Sequence, residues 1–196
     1  MQQTFCIFVA YFSVKNLINE SMIQNERDTR HQRVMEAVGQ MMTAARTAPK
    51  AKGIDIIEIA AVEGNDIQTL ANRLRDMGIQ SGRKFFLRDA DNILIAEAVV
   101  LIGSHSHEMS LNCSYCGFPT CGDKPQAVPC AINSVDVGIA IGSACAMATD
   151  LRLDTRVMFS AGYAAQDLGW LKDCSTIFAI PVSVSSKNPF FDRKVH

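Results

Sequence analysis

Cys113, Cys116, Cys121 and Cys130 fall within NCSYCGFPTCGDKPQAVPC, a C-x2-C-x4-C-x8-C spacing. Four thiols this close in sequence can converge on one point, as a tetrahedral metal or an iron–sulfur cluster requires. Such convergence needs an irregular, turning chain. Gly117 and Gly122, each directly after a cysteine, supply tight turns, and Pro119 and Pro129 limit the freedom of the open loop. A tight turn also aims backbone N–H groups at sulfur, which is one lever on a cluster's potential.

Other uses of the cysteines rank lower. The chain has seven, an odd number, in 196 residues, which does not suit the disulfide framework of a short secreted protein. A structural zinc site is the main alternative, but zinc ribbons carry two paired C-x2-C knuckles and here there is one pair. A redox thiol pair ranks below both. Hydrophobic residues make up 48% of the chain, enough for a sizeable core, and the net charge of −1 gives no electrostatic case for nucleic acid or an anionic membrane. Abundant reduced cysteine points to the cytoplasm. The opening MQQTFCIFVAYFSV lacks the basic start and small-residue cleavage site of a signal peptide, and Phe5 to Val14 is short for a membrane span. A buried strand or an apolar extension fits residues 1–21, with Met22 a plausible second start.

Hydrophobic periodicity lays out the rest. Val34, Val38, Met41 and Ala45 form a stripe on a helix over Glu26–Arg46, closed by Pro49 and Gly53. IDIIEIAAV, residues 54–62, reads as a buried strand. Asn65 with Gln68 suggests a capping box for a helix ending near Gly78. Residues 85–96 are ambiguous, with a short helix expected after Asp89. AVVLI, 98–102, is a second buried strand, so the cysteine loop begins just past a strand end, a common ligand position. Ser134 should cap a helix to about Asp150, with Gly138, Gly142 and Ala146 on a face open to close approach. Bounded by Asp136 and Asp150, it fits a core helix better than a membrane span. Asp154 or Thr155 should open another helix, stopped by Gly169, and TIFAIPVSV, 176–184, is a last strand.

These segments carry a resemblance. NCSYCGFPTCG, PCAINSVDVGIAIGSA, AARTAPKAKG and KNPFFDR together resemble the ferredoxin domain-containing family. The resemblance runs from about Met22 to the C-terminus and implies a single ferredoxin-type domain, 22–196, with its cluster loop at 104–133. It implies a [4Fe-4S] cluster on Cys113, Cys116, Cys121 and Cys130, and electron transfer with an unidentified redox partner, coupled or not to a reductase activity. The loop is also similar to the four-cysteine domain of corrinoid iron–sulfur proteins, except that there the fourth cysteine lies further away. AARTAPKAKG is similar to a segment of the flavin-dependent nitroreductases, which implies an α+β fold with a central sheet flanked by helices. In that family's manner Arg27, Asp28 and Thr29, with Lys187 and Arg193, would hold an FMN phosphate. Lys50 stands where that family has serine. Such folds are usually dimeric; the sequence leaves the oligomeric state open. Solvated surface charge is the competing reading of these basic residues.

Other features have plainer explanations. His105 and His107 could ligate a metal but fit an exposed loop, and Cys6, Cys145 and Cys174 fit buried apolar positions. Asp150, Arg152, Asp154 and Arg156 alternate in sign, which suggests a local salt-bridge network. No P-loop, Ser–His–Asp spacing or strand-linked G-x-G-x-x-G is present.

Overall fold

The run Ala98–His105 is buried from Ala98 through Ser104. Such a strand must be covered on both faces, and it is the second strand of a four-stranded antiparallel sheet. The computed structural model describes residues 23–191; the predicted N-terminal strand, Cys6 and Arg193 lie outside them. In chain order the elements are α1 (Glu26–Thr47), a 3-10 turn (Ala51–Gly53), β1 (Ile57–Val62), α2 (Asn65–Ser81), α3 (Lys84–Ile93), β2 (Ala98–His105), α4 (Ala131–Asp150), β3 (Asp154–Thr155), α5 (Phe159–Asp167) and β4 (Cys174–Ser183). The sheet order is β1-β2-β4-β3.

The chain divides into two compact units, Met1–His31 and Gln32–His196. Of the first, the described residues hold the start of α1. There Asn25 accepts the Arg27 N–H at 3.1 Å, and Glu26 pairs with Arg30 at 2.7 Å. Glu26 and Asp28 in the first turn suit the positive end of the helix dipole.

In the second unit the register sorts side chains by parity. Val100 and Ile102 of β2 and Ile180 and Val182 of β4 face a core completed by Val34, Val38 and Met41 of α1 and Val137, Ala140 and Ala144 of α4. Val99, Leu101, Ile177 and Ala179 face the opposite core, with Leu70 and Leu74 of α2, Phe86 of α3 and Ala161 and Ala165 of α5. Fully burying a side chain such as Leu70 or Phe86 stabilises by about 1.5–3 kcal/mol. The result is the expected α+β architecture, a sheet with helices on both faces.

Several boundaries differ from the sequence reading. Gly64, not Asn65, caps α2, and the helix runs past Gly78 to Gly82, whose φ of 67° ends it. Gly78 instead lets α3 approach, because a Cβ there would lie 2.8 Å from Leu87. Helix α3 begins before Asp89, which is buried mid-helix and accepts the Ser160 hydroxyl at 2.6 Å. Residues 154–155 form β3 rather than a helix start, since sheet pairing to Ser183 and Val182 engages their backbone. Among the described residues these four side chains form no ion pair with one another: Asp154 accepts the Ser185 hydroxyl at 2.8 Å, and Arg156 donates to the Phe190 carbonyl at 2.9 Å. Cys130, not Ser134, caps α4, and the Ser134 hydroxyl donates back to the Cys130 carbonyl at 3.2 Å. At Gly138 and Gly142 an added Cβ would meet nothing within 4 Å, so neither a helix nor the cysteine loop approaches them among the described residues. That outer face also exposes Val135 and Ile139.

The closest backbone approach is at Gly162, where an added Cβ would lie 2.0 Å from the Ile177 carbonyl oxygen. Gly162→Ala must push α5 off β4 and should cost about 1–3 kcal/mol or more. Gly138→Ala, in an open helix interior, should instead stabilise by about 0.5–1 kcal/mol. Urea unfolding of both variants checks the pair; equal effects would contradict the packing.

At the end of β2, His105 Nε2 meets Glu58 at 3.0 Å and Nδ1 meets the Asp173 carbonyl at 3.3 Å. The Glu58 hydrogen bond raises the imidazole pKa against an opposing desolvation effect, with the Asp173 carbonyl and the two acidic charges adding to the rise. A raised folded value means that the pair's contribution to stability is complete below about pH 6.5, the unfolded value. It is lost as pH rises through the folded one. The stability gap between wild type and Glu58→Gln should therefore be larger at pH 6 than at pH 8. A nuclear magnetic resonance titration placing His105 at or below the free imidazole value would contradict this.

Candidate metal centre

Residues 106–130 leave β2 and reach α4 without regular secondary structure. Both ends of this loop are tied down. Met109 is buried in the α1/α4 core, and its carbonyl accepts Lys52 Nζ at 3.2 Å. Asn133, buried in the first turn of α4, donates from Nδ2 to the His107 carbonyl at 2.8 Å and the His105 carbonyl at 3.4 Å. Among the described residues its Oδ1 is buried without a partner. One turn on, the buried carboxylate of Asp136 accepts the Ala51 N–H with both oxygens at 3.1 Å.

Between these anchors the chain turns repeatedly. Ser110, Asn112, Ser114 and Gly117 all have positive φ, an uncommon conformation for the three that are not glycine. Two of them flank Cys113. Asn112 and Cys121 hold two stretches side by side: the Cys121 N–H donates to Asn112 Oδ1 at 2.9 Å, and the Asn112 N–H points to Cys121 Sγ at 3.4 Å. Asp123 Oδ2 receives the Thr120 N–H and hydroxyl, at 3.1 and 2.8 Å. The Lys124 N–H closes a turn onto the Cys121 carbonyl at 3.3 Å. The Lys124 side chain turns inward, 7% exposed, and its Nζ donates to the carbonyls of Val128 at 2.7 Å and Pro125 at 3.2 Å.

Cys113, Cys116, Cys121 and Cys130 are free thiols of intermediate burial. Among the described residues, no three His, Cys, Asp or Glu side chains are gathered closely enough to hold an ion as they stand. The donor set still fits a thiophilic centre. All four groups are of one type, and none is committed to a disulfide or to the core. Cys130 occupies the N-cap of α4 with φ −72° and ψ 127°, and its sulfur makes no capping hydrogen bond.

The remaining described cysteines are unlike these four. Burial raises the Cys145 thiol pKa against a smaller opposing effect from the Thr155 hydroxyl. Burial, with the charges of Glu58 and Asp173, pushes Cys174 up to about 11. The upward shift makes each a weaker thiolate donor than a free cysteine. His105 is engaged by Glu58 and Asp173, and His107 is exposed.

Of the candidate phosphate residues, Arg27 and Thr29 belong to the first unit and Lys187 to the second. Arg27 is exposed in the first unit, where the Thr29 hydroxyl donates to the Asn25 and Glu26 carbonyls, each at 3.4 Å. Lys187 is exposed in the second unit, just after β4. A shallow groove of about 360 Å³ lies elsewhere in that unit, lined by Gly39, Met42, Thr43, Arg46 and Ile59. Sequence reasoning missed the part played by Lys50. Its side chain is 6% exposed and donates to the Ala45 carbonyl at 3.2 Å and to the Arg46 carbonyl, closing the C-terminal end of α1. Lys124, Asn133 and Asp136 were missed as well. A buried polar group inside an apolar or cysteine-rich run was the available signal.

Comparison with known proteins agrees with this architecture. A protein of Archaeoglobus fulgidus is 37% identical over 182 residues, spanning 88% of this chain and 98% of the relative. A nitroreductase with bound FMN from Bacteroides fragilis superposes with a TM-score of 0.57 at 12% identity, over 82% of each chain. A nitroreductase family protein from Clostridium novyi gives 0.53 at 15% identity, over 80% of this chain and 76% of that one. These solved structures establish a nitroreductase-like fold. Residues 126–193, from the approach to Cys130 through α4 and the sheet edge, match the family described as "uncharacterized protein containing a ferredoxin domain (DUF2148)". With that match and a relative alike along nearly its whole length, the chain belongs to this ferredoxin domain-containing family.

Proposed function

We propose that this protein is a cytoplasmic iron–sulfur electron carrier that holds a [4Fe-4S] cluster on Cys113, Cys116, Cys121 and Cys130. The observation that carries the reading is the sorting of the thiols. The four in one anchored loop are free and lie outside the two cores, while Cys145 packs against one core, Cys174 is buried in the other, and burial raises the thiol pKa of both. When bound, the cluster accepts and releases one electron. The chain's own part is to supply thiolates, to bring the dipole end of α4 to Cys130, and to point the Asn112 N–H at Cys121 sulfur. Tyr115, 78% exposed, and Leu111, 43% exposed, flank Cys113 and offer a redox partner an apolar landing point beside the centre. Zinc on the same thiolates is the alternative metal.

The fold supports a second reading, an FMN-dependent oxidoreductase, because a neighbour of the same architecture contains FMN. Arg27, Thr29, Lys187 and Arg193 would then hold the phosphate, as a homodimer or within one chain. Titration with FMN up to high micromolar concentration should quench flavin fluorescence, and Lys187→Ala should weaken the effect. No quenching at that limit removes the flavin reading and leaves the cluster reading standing.

Protein purified without exposure to air should be brown, should bleach on reduction, and should contain iron and acid-labile sulfide in equal amounts. One zinc per chain without sulfide, in such protein, would overturn the cluster. Cys130→Ser should lose or destabilise the centre, whereas Cys145→Ser should leave its visible spectrum nearly unchanged. The reverse pattern would move the fourth ligand into α4.

A further inference from the structure

We propose that the junction of α3 and α5 is a docking surface for an acidic segment of another protein, one that carries apolar side chains between its carboxylates. The surface joins exposed aromatic rings to two cations that the chain itself does not neutralise. Neither feature draws on the cysteines, so the docking surface and the metal centre stand or fall separately.

The aromatic part is built on α5. Phe159 and Tyr163 lie one helical turn apart on a shared face, 53% and 52% exposed. The ring of Phe159 is held from beneath, with Phe85 and Phe86 at 5.7 and 6.3 Å between ring centres. An exposed aromatic fixed by its neighbours loses little freedom when a partner covers it.

The charged part is built on α3. Arg83 takes the N-cap and Lys84 the first helical position, both exposed, and the first turn holds no acidic residue. A helix N-terminus is itself positive, so two cations there are set against the dipole. The carboxylates of the two helices are already engaged, Asp89 by Arg88, Asp91 by Arg75 and Asp167 by Arg73. Among the described residues Arg83 and Lys84 have no ion pair. Arg83 is held in place: its N–H donates to the Gly78 carbonyl at 3.1 Å, and its carbonyl accepts the Phe86 N–H at 3.0 Å. Its guanidinium lies 5.7 Å from the centre of the Phe86 ring, the same ring that meets Phe159 edge-on. The cations and the aromatic anchor are therefore one surface.

Carboxylates complement this surface, and apolar side chains cover its rings. A second copy of the chain fits it less well, because an isologous contact sets the patch against itself and brings cations to cations. A nucleic acid strand also fits less well, since two cations neutralise few phosphates and the chain's net charge is −1.

The test uses the full chain and two fluorescein-labelled amphipathic helical peptides, one of glutamate and leucine, the other with lysine for every glutamate. Fluorescence anisotropy should show the glutamate peptide binding about tenfold more tightly than its twin, with the difference shrinking as salt is added. Arg83→Glu combined with Lys84→Glu should reverse the preference. Urea unfolding should find that variant as stable as wild type or more so, because acidic residues suit this helix end, which separates lost docking from lost folding. Tyr163→Gln, on the exposed face, should weaken the glutamate peptide about tenfold with both cations in place. Equal binding of the two peptides, binding of neither, or an unchanged preference in the charge-reversed variant overturns the proposal. So does an oligothymidine strand bound more tightly than the glutamate peptide, or a dimer in sedimentation that Tyr163→Gln disperses.

Discussion

Two buried polar side chains on the inner face of α4 fix the position of nearly everything around the site. Asn133 holds the carbonyls of His105 and His107, and Asp136 holds the Ala51 N–H. Both are buried among the apolar side chains of that face, where a misplaced amide or carboxylate would be costly. Alanines could slide along the sheet at little cost, but a carboxylate matched to one N–H cannot. The two ties set the axial register of α4 against the end of β2 and the 3-10 turn. Through Asn133 they bring the start of α4 to the exit of β2, so the two ends of the cysteine loop are neighbours.

Burial then sorts the cysteines. The same residue type appears on β4, on α4 and in the loop, and the surroundings give it different chemistry. Cys174 lies against β2 so closely that a Cβ at Gly103 would come within 3.1 Å of its sulfur. Burial raises its thiol pKa. Cys145 shares that fate for the same reason. The loop cysteines belong to neither core, because a chain with repeated positive φ cannot pack its side chains in regular layers.

Much of the fold was legible in the sequence because it obeys period. The stripe Val34, Val38, Met41 and Ala45 and the unbroken run Ala98–Ile102 declare an amphipathic helix and a strand buried on both faces, and the structure has both. The errors came where a short-range rule met a long-range partner. Asn65 and Ser134 look like caps, yet Gly64 and Cys130 take those positions. Asp154 looks like a helix start, yet the edge of β4 claims its backbone. For the site, the spacing of the four cysteines was readable, whereas the inward turn of Lys124 and the grip of Asn133 depend on contacts that no local pattern encodes. The same holds for Lys50, whose ammonium serves helix carbonyls.

The clasp at Asn133 also bears on how this region can change over evolutionary time. Because the clasp joins β2 to α4 directly, the sheet does not sense how many residues lie between them. Loop-closure entropy grows only with the logarithm of length, about 0.6 kcal/mol per doubling. Insertions or deletions between Cys121 and Cys130 would then be nearly neutral for folding while resetting the reach of the last thiol. Spacing within the loop can drift, and the centre it builds can be retuned, beneath a scaffold that stays the same.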